Sequence, residues 1–519
     1  MTPAASDLLS LLTGGARRRG DSVFLTVAGD AVSGAGFAQR VQAAAVGLRR
    51  LGLVAGDRVA ILLPRSVDEA VWILAAAVAG GVAVPVHGKL KDFQVGHILG
   101  DCEPFAVVTS ATRLLGLAEP TATLRGQRVL AIGAAPLPMT TEPAPGGAGV
   151  LPPVAATAPA VLLYTSGSTG LAKGIVQSHG NLALGAAIVA DYLGLGPTDH
   201  VLALLPFSFD YGLNQLLGAL HAGCAVTAAD HLGVGELAQL LRAHRPTGLA
   251  GVPALWHELA SGLASGALRA DDGASLRYLT NSGGALRPAD GAAVRAAWPH
   301  VRVFAMYGLT EAFRSAFLPP EEYDAHPTSF GRALPGVELL LVDPASGAVL
   351  DGPATGELVH VGALVASGYW RRPEDDAARF RPDPRGSGKP AVWSGDVVRR
   401  DEDGRLFFVA RRDRLLKVAG HRVSPDEVAA AVAGGDGVGE VAVFGVDGGS
   451  AGHAIVLCAQ GDVGDPTLVE RVRRRCRSRL PSYMQPSAVH VLPALPHNPN
   501  GKVDEAALRR MLPPWTGNR

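Results

Sequence analysis

The chain has 519 residues, of which 48% are hydrophobic and 18% charged, and its 47 basic and 47 acidic side chains balance. This length and composition fit a globular protein of two or three domains and exclude a disordered chain. The basic runs at 17–19 and 473–475 are short and the four cysteines are scattered, which argues against a nucleic-acid or membrane-surface partner, a disulfide framework and a cysteine metal site. The N-terminus lacks the basic-then-apolar pattern of a secretion signal, and the apolar run 71–86 is broken by Gly80, Gly81 and Pro85, so a cytoplasmic protein is expected. Along the first 160 residues, helical spacing over 37–51 and 67–79 alternates with strand-like runs at 58–63, 82–86 and 105–109. Alternation of this kind predicts a parallel sheet covered by helices. A Pro/Gly/Ala-rich stretch, 140–159, reads as a linker into a buried strand at 160–164. The alternation resumes with strands at 200–209, 225–228, 248–252, 276–280 and 301–306 and a helix at 213–220. From 331 to 412 the pattern changes to short β-type runs separated by Gly, Pro and Asp, which predicts a small antiparallel or barrel-like unit. A domain boundary is expected at 412–413.

The densest chemistry lies at 164–174, YTSGSTGLAKG. Its glycines can turn backbone N–H groups inward, Ser166, Ser168 and Thr169 add hydroxyls, and Lys173 adds a charge, a set that suits a polyphosphate. The expected order is strand, glycine-rich loop, turn and helix, with Ser178 or Asn181 as the cap. It is not a Walker loop, because no hydroxyl residue follows Lys173. Further on, YGLTE (307–311) offers an aromatic ring, a hydroxyl and a carboxylate suited to Mg²⁺. WSGD (393–396) ends on a carboxylate for ribose hydroxyls, and NPNGKVD (498–504) sets Lys502 after a turn. Taken singly, each also reads as an ordinary surface turn.

Together and in this order, YTSGSTGLAKG, YGLTE, WSGD, RRDRLLKVAGHR and NPNGKVD resemble the adenylate-forming superfamily of acyl-CoA synthetases, adenylation domains and luciferases. The resemblance implies an α/β fold. A large domain, 1–412, would hold two α/β sheet halves and a small β-barrel-like subdomain, and a small mobile α+β domain, 413–519, would carry the catalytic lysine. It also implies ATP and Mg²⁺ as cofactors and a two-step reaction, in which a carboxylate attacks the α-phosphate and a thiol then takes the acyl group. By motif, Thr165, Ser166, Gly167, Ser168, Thr169, Gly170 and Lys173 would hold the β- and γ-phosphates. Tyr307, Gly283 and Gly284 would enclose adenine, and Asp396 and Arg411 would hold the ribose. Thr310 would contact the α-phosphate, Glu311 would bind Mg²⁺, Asp413 would be the hinge, and Lys502 would bridge the α-phosphate and the attacking carboxylate. Ala172 and Ala410 depart from the proline and glycine usual at those places.

The acyl pocket implied by the resemblance comprises Phe209, Asp210, Asn214, Ser282, Gly308 and Arg314. Asp210 would pair with a substrate ammonium, or would only cap the helix starting at 211. Arg314 would bind a second substrate carboxylate with Ser282, or would pair with Glu311, Glu321 or Glu322. The stretches SFDYGLNQ and TEAFRS resemble stand-alone ligases that load β-amino acids for macrolactams, and ligases of exosortase-associated clusters. An amino acid, with a β-amino acid favoured, is therefore expected to pass to an acyl carrier protein. The alternative is a CoA ligase for an acid without an amine.

Overall fold

The computed structural model describes residues 7–90, 92–117, 119–132, 151, 153–166, 172–231, 233–411, 416–418, 421–423, 425–434, 437–447, 453–480, 484–499 and 501–513, without the side chains of residues 93, 120, 121, 166, 417, 421, 422 and 427. Two sheets dominate the first four hundred residues. One has six strands in the order Val129–Ile132, Ala106–Ser110, Arg58–Leu62, Val82–Pro85, Pro159–Ser166, Ala172–Ser178; the first five run parallel and the last is antiparallel. The other carries a parallel run from Val23–Val27 through Ala225–Ala228, His200–Ala203, Gly248–Gly251 and Tyr278–Asn281 to Arg302–Tyr307. It continues into the expected antiparallel unit, where Ala354–Gly362, Ala391–Arg400 and Leu406–Arg411 are neighbours.

Helices Leu8–Arg19, Gly34–Arg50, Val67–Val78 and Asp210–Ala222 contribute to one continuous apolar core shared with both sheets. Every residue of Asp210–Ala222 is buried, as are all of Val67–Val78 except Asp68. Helices covered on every side offer no solvent face and sit inside the molecule. The C-terminal part builds its own core around Val441–Asp447, His453–Gln460 and Ala488–Leu492, with helix Leu468–Arg479 packed on them. Among the described residues, no helix is long and apolar enough to cross a membrane.

One expectation is corrected. The glycine-rich loop does not lead through a turn into a helix. It joins Pro159–Ser166 to Ala172–Ser178 in an antiparallel hairpin, with Thr165 opposite Lys173. Helix His179–Leu193 begins only after that second strand, capped by Ser178 and Asn181 in a reciprocal capping box. The helix therefore does not follow the loop directly: a second strand separates the two. The linker residues 133–150, Gly167–Gly170 of the loop and Asp413 lie outside the described residues.

Candidate active site

The carboxyl ends of the parallel strands in the second sheet carry the predicted residues at 282–284 and 307–311, which is where open α/β sheets present ligand sites. Strand Tyr278–Asn281 runs into Ser282, Gly283 and Gly284, and strand Arg302–Tyr307 into Gly308, Thr310 and Glu311. Gly283 has φ +81°, and a Cβ there would stand 3.4 Å from Val252 and 3.8 Å from Phe209, so this corner is left-handed and in contact with both side chains. Gly284 is crowded as well, since a Cβ would meet Pro253 at 3.0 Å.

Tyr307 stacks on Phe330 at 4.5 Å between ring centroids and on His360 at 5.8 Å. Its hydroxyl donates a short hydrogen bond to Asp396. Asp396 also meets Arg411 Nε at 2.9 Å, and these two lie opposite each other on paired strands. Burial, then the Asp396 charge, holds the Tyr307 phenol far above its ordinary pKa, so it stays a proton donor. The aromatic ring and the two proposed ribose groups thus form one cluster.

Thr310 is buried and its carbonyl accepts from Gln177 on the hairpin strand. Glu311 Oε1 accepts from Tyr369 at 2.7 Å. Lys173 Nζ stands 2.5 Å from Asp375 Oδ1. The sequence reading named neither Tyr369 nor Asp375. The signal it passed over is ASGYWRRPEDD (366–376), a run dense in aromatic and charged residues directly after a strand.

Asp210 corrects the capping alternative. Phe209 is the N-cap residue, without a side-chain cap bond, and Asp210 is already the first helical residue. Arg314 also differs from its structural alternative, since it pairs with none of Glu311, Glu321 or Glu322. Its Nη1 is 3.2 Å from Asp210 Oδ2 and 2.7 Å from the Phe313 carbonyl, and both members of the ion pair are buried. Arg314 Nε and Nη2 are buried without hydrogen-bond partners. Burial raises the Asp210 pKa, while Arg314 and then Lys502 oppose the rise. Asn214, one turn along the same helix, is buried with Nδ2 unpartnered.

Lys502 brings the C-terminal part to this cleft. Its neighbour Gly501 would, with a Cβ, stand 3.4 Å from Val252 of the large part. Lys502 senses the charges of Arg411, Asp210, Asp396 and Glu311. Enclosure by the cleft lowers its pKa most, followed by Arg411, and the three carboxylates resist. The residue is exposed by surface area, so water screens part of that enclosure. The charges of Arg411, Asp396, Asp210 and Glu311 therefore all act on one lysine.

The profile of the AMP-binding enzyme family matches residues 12–370, and that of the AMP-binding enzyme C-terminal domain matches 427–502. An L-proline–[L-prolyl-carrier protein] ligase from Streptomyces coelicolor is 34% identical over 502 residues, covering 92% of each chain. The crystal structure of ATP-bound MatB from Rhodopseudomonas palustris superposes with a TM-score of 0.86 at 28% identity, covering 98% of both chains. The apo structure of the same MatB gives 0.75 over the same share. The chain thus has the overall shape of the ATP-bound form more nearly than that of the apo form. It belongs to the AMP-binding enzyme family and is an AMP-forming, ATP-using ligase.

Proposed function

We propose that the enzyme adenylates the carboxylate of an amino acid, a β-amino acid being favoured, and passes the aminoacyl group to a carrier-protein phosphopantetheine thiol. The observation that carries this reading is Asp210, a buried carboxylate at the head of the cleft helix, flanked by Phe209 and Tyr211 and within the field of Lys502. A buried carboxylate is costly unless cations meet it. Arg314 supplies one cation, and a substrate ammonium would supply another. Similarity along nine-tenths of both chains to an enzyme named for L-proline and a carrier protein supports both the amine and the acceptor.

In this reading the loop 165–170 and Lys173 hold the β- and γ-phosphates. Tyr307, Gly283 and Gly284 take adenine, while Asp396 and Arg411 take the ribose. Phe209, Asp210, Asn214, Ser282, Gly308 and Arg314 surround the acid. A carboxylate oxygen bonds to the α-phosphorus as the bond to the pyrophosphate oxygen breaks. Negative charge grows on the α-phosphate oxygens, and the Lys502 ammonium stabilises it more in the transition state than in the ground state. Thr310 and Glu311 offer oxygen ligands only, which fits Mg²⁺. Among the described residues no three His, Cys, Asp or Glu gather into a metal site, so one carboxylate plus nucleotide oxygens is the fitting set. When bound, Mg²⁺ supplies neutralisation of phosphate charge. The unit from 413 onward then turns about Asp413 for thiol transfer.

A finer reading rests on the two unpartnered guanidinium nitrogens of Arg314, Nε and Nη2. A substrate with a second carboxylate would satisfy them, with Ser282 beside it, and would balance the added ammonium. ATP–pyrophosphate exchange across matched α-amino, β-amino, carboxylated and amine-free acids tests the substrate, and holo-carrier protein against CoA tests the acceptor. Exchange is expected with an amino acid at least tenfold above its amine-free counterpart, since a lost ionic contact of this kind costs at least ~1.4 kcal/mol. Equal or better exchange with amine-free acids, followed by transfer to CoA alone, would establish the acyl-CoA ligase alternative.

A further inference from the structure

Segment 363–376 ties the two ends of the phosphate region together. Its backbone runs beside the strand that leaves the glycine-rich loop. Ser367 N donates to Val176 O at 2.9 Å, Val176 N to Gly368 O at 2.9 Å, and Trp370 N to Gly174 O at 2.7 Å. Ala366 N donates to the Glu311 carbonyl at 2.8 Å, so the same strap is fastened to YGLTE. Tyr369 is anchored on it by backbone and by ring. Its N–H donates to Asp376 Oδ1 at 2.6 Å, and its ring meets Phe380 edge-on at 5.3 Å. The first contact fixes the backbone at Tyr369 and the second packs its ring.

That ring reaches both functional groups. Its hydroxyl donates to Glu311 Oε1 at 2.7 Å, and Lys173 Nζ lies 5.7 Å from its centroid. Asp375, six residues along, holds the same ammonium at 2.5 Å. A glutamate carboxylate turns broadly about its last torsion, so a donor on one oxygen sets the plane and leaves the other oxygen for a cation.

We infer that Tyr369 is a positioning residue for nucleotide activation: its hydroxyl aims the Glu311 carboxylate at the metal, and its ring, with Asp375, fixes the Lys173 ammonium at a set separation from it. This rests on the roles given above to Glu311 and Lys173. Both side chains come from separate elements, and the strap makes one rigid unit of them. Tyr369→Phe keeps the ring and its packing but frees the carboxylate. Tyr369→Leu removes the face over which Lys173 sits as well.

The test is calorimetric titration of ATP into the full chain, first in EDTA and then with Mn²⁺, for wild type, Tyr369→Phe, Tyr369→Leu and Glu311→Gln, with the melting temperature of each free protein as control. For Tyr369→Phe, ATP affinity in EDTA is expected within about twofold of wild type, while the gain conferred by Mn²⁺ falls about tenfold or more, the usual cost of removing a ligand's outer partner. For Tyr369→Leu, affinity in EDTA should also fall several-fold, as loss of a cation–π contact implies. If Glu311→Gln loses the Mn²⁺ gain and Tyr369→Phe retains it, the inference is overturned while Glu311 keeps its role. If Glu311→Gln also retains it, the metal role of Glu311 falls and the inference with it. A loss of equal size in EDTA and Mn²⁺ for Tyr369→Phe, with a lowered melting temperature, would make the residue structural only and overturn the inference.

Discussion

Asp210 and Arg314 show how a partner more than a hundred residues away changes the meaning of one side chain. Had Asp210 been a plain cap, asparagine would be harmless there. Its ion pair with Arg314 is buried, so Asp210→Asn leaves a guanidinium without its counter-charge. Removing one member of such a pair typically costs about 3–5 kcal/mol. Urea unfolding of Asp210→Asn should show a loss of that order, and adding Arg314→Met should recover much of it. If the single variant is as stable as wild type, the pair is not formed in solution. The motif residues themselves were legible in the sequence, because loop, ring, carboxylate and lysine each carry their chemistry locally. Their partners were not: nothing near Asp210 in the chain announces Arg314, and nothing near Glu311 announces Tyr369.

Among the elements, helix His179–Leu193 and the turn after Glu311 meet at an unusually close contact. Phe313 has φ +30°, a strained backbone for a bulky residue, and its ring packs where a Cβ on Gly185 would lie only 2.4 Å away. The carbonyl of this strained residue is the one that accepts from Arg314. Gly185 is therefore expected to be required for space, and Gly185→Ala should destabilise by about 1–3 kcal/mol through overpacking. It should also slow pyrophosphate exchange, since Phe313 must shift and Arg314 with it. Gly47→Ala, in helix Gly34–Arg50 with nothing within 4 Å, is the control. It should gain about 0.5–1 kcal/mol from helix propensity alone. Chemical denaturation of both variants checks the contrast, and equal effects would mean the Phe313 contact is loose. Most strands and helices fell within a few residues of their sequence-based positions because their apolar spacing is local. The misread hairpin strand Ala172–Ser178 shows the limit. Its pairing with Pro159–Ser166 is set by backbone register across the loop, which composition does not encode.

For the whole molecule, two buried histidines make stability depend on pH. Burial lowers the His179 pKa to about 4 and the His360 pKa to about 3. His179 Nδ1 accepts from Leu8 N, so it joins two helices as a neutral ring, whereas both nitrogens of His360 are unpartnered beside Tyr307. The unfolded chain binds protons on both at an ordinary pKa near 6.5, and the folded chain does not. These two rings should therefore each withdraw up to ~1.4 kcal/mol of stability per pH unit as pH drops below about 6.5, until each folded pKa is reached. His360→Leu should flatten that acid slope in urea unfolding between pH 7 and 5. An unchanged slope would show that His360 is not buried in the neutral form.

The same scale decides the central claim, that a lysine from the C-terminal part drives adenylation in a cleft built by the large part. Lys502 is the group on which the charges of Asp210, Asp396 and Glu311 all act. The measurement is a pair of half-reactions on Lys502→Ala: ATP–pyrophosphate exchange with the preferred acid, and transfer to the thiol from chemically supplied aminoacyl-adenylate, with ATP affinity measured alongside. Exchange should drop a hundredfold or more, because a preorganised charge at the transition state is typically worth about 2.7–4 kcal/mol, while transfer and ATP affinity stay near wild type. Exchange that remains near wild type, or equal loss of both half-reactions, would contradict the account.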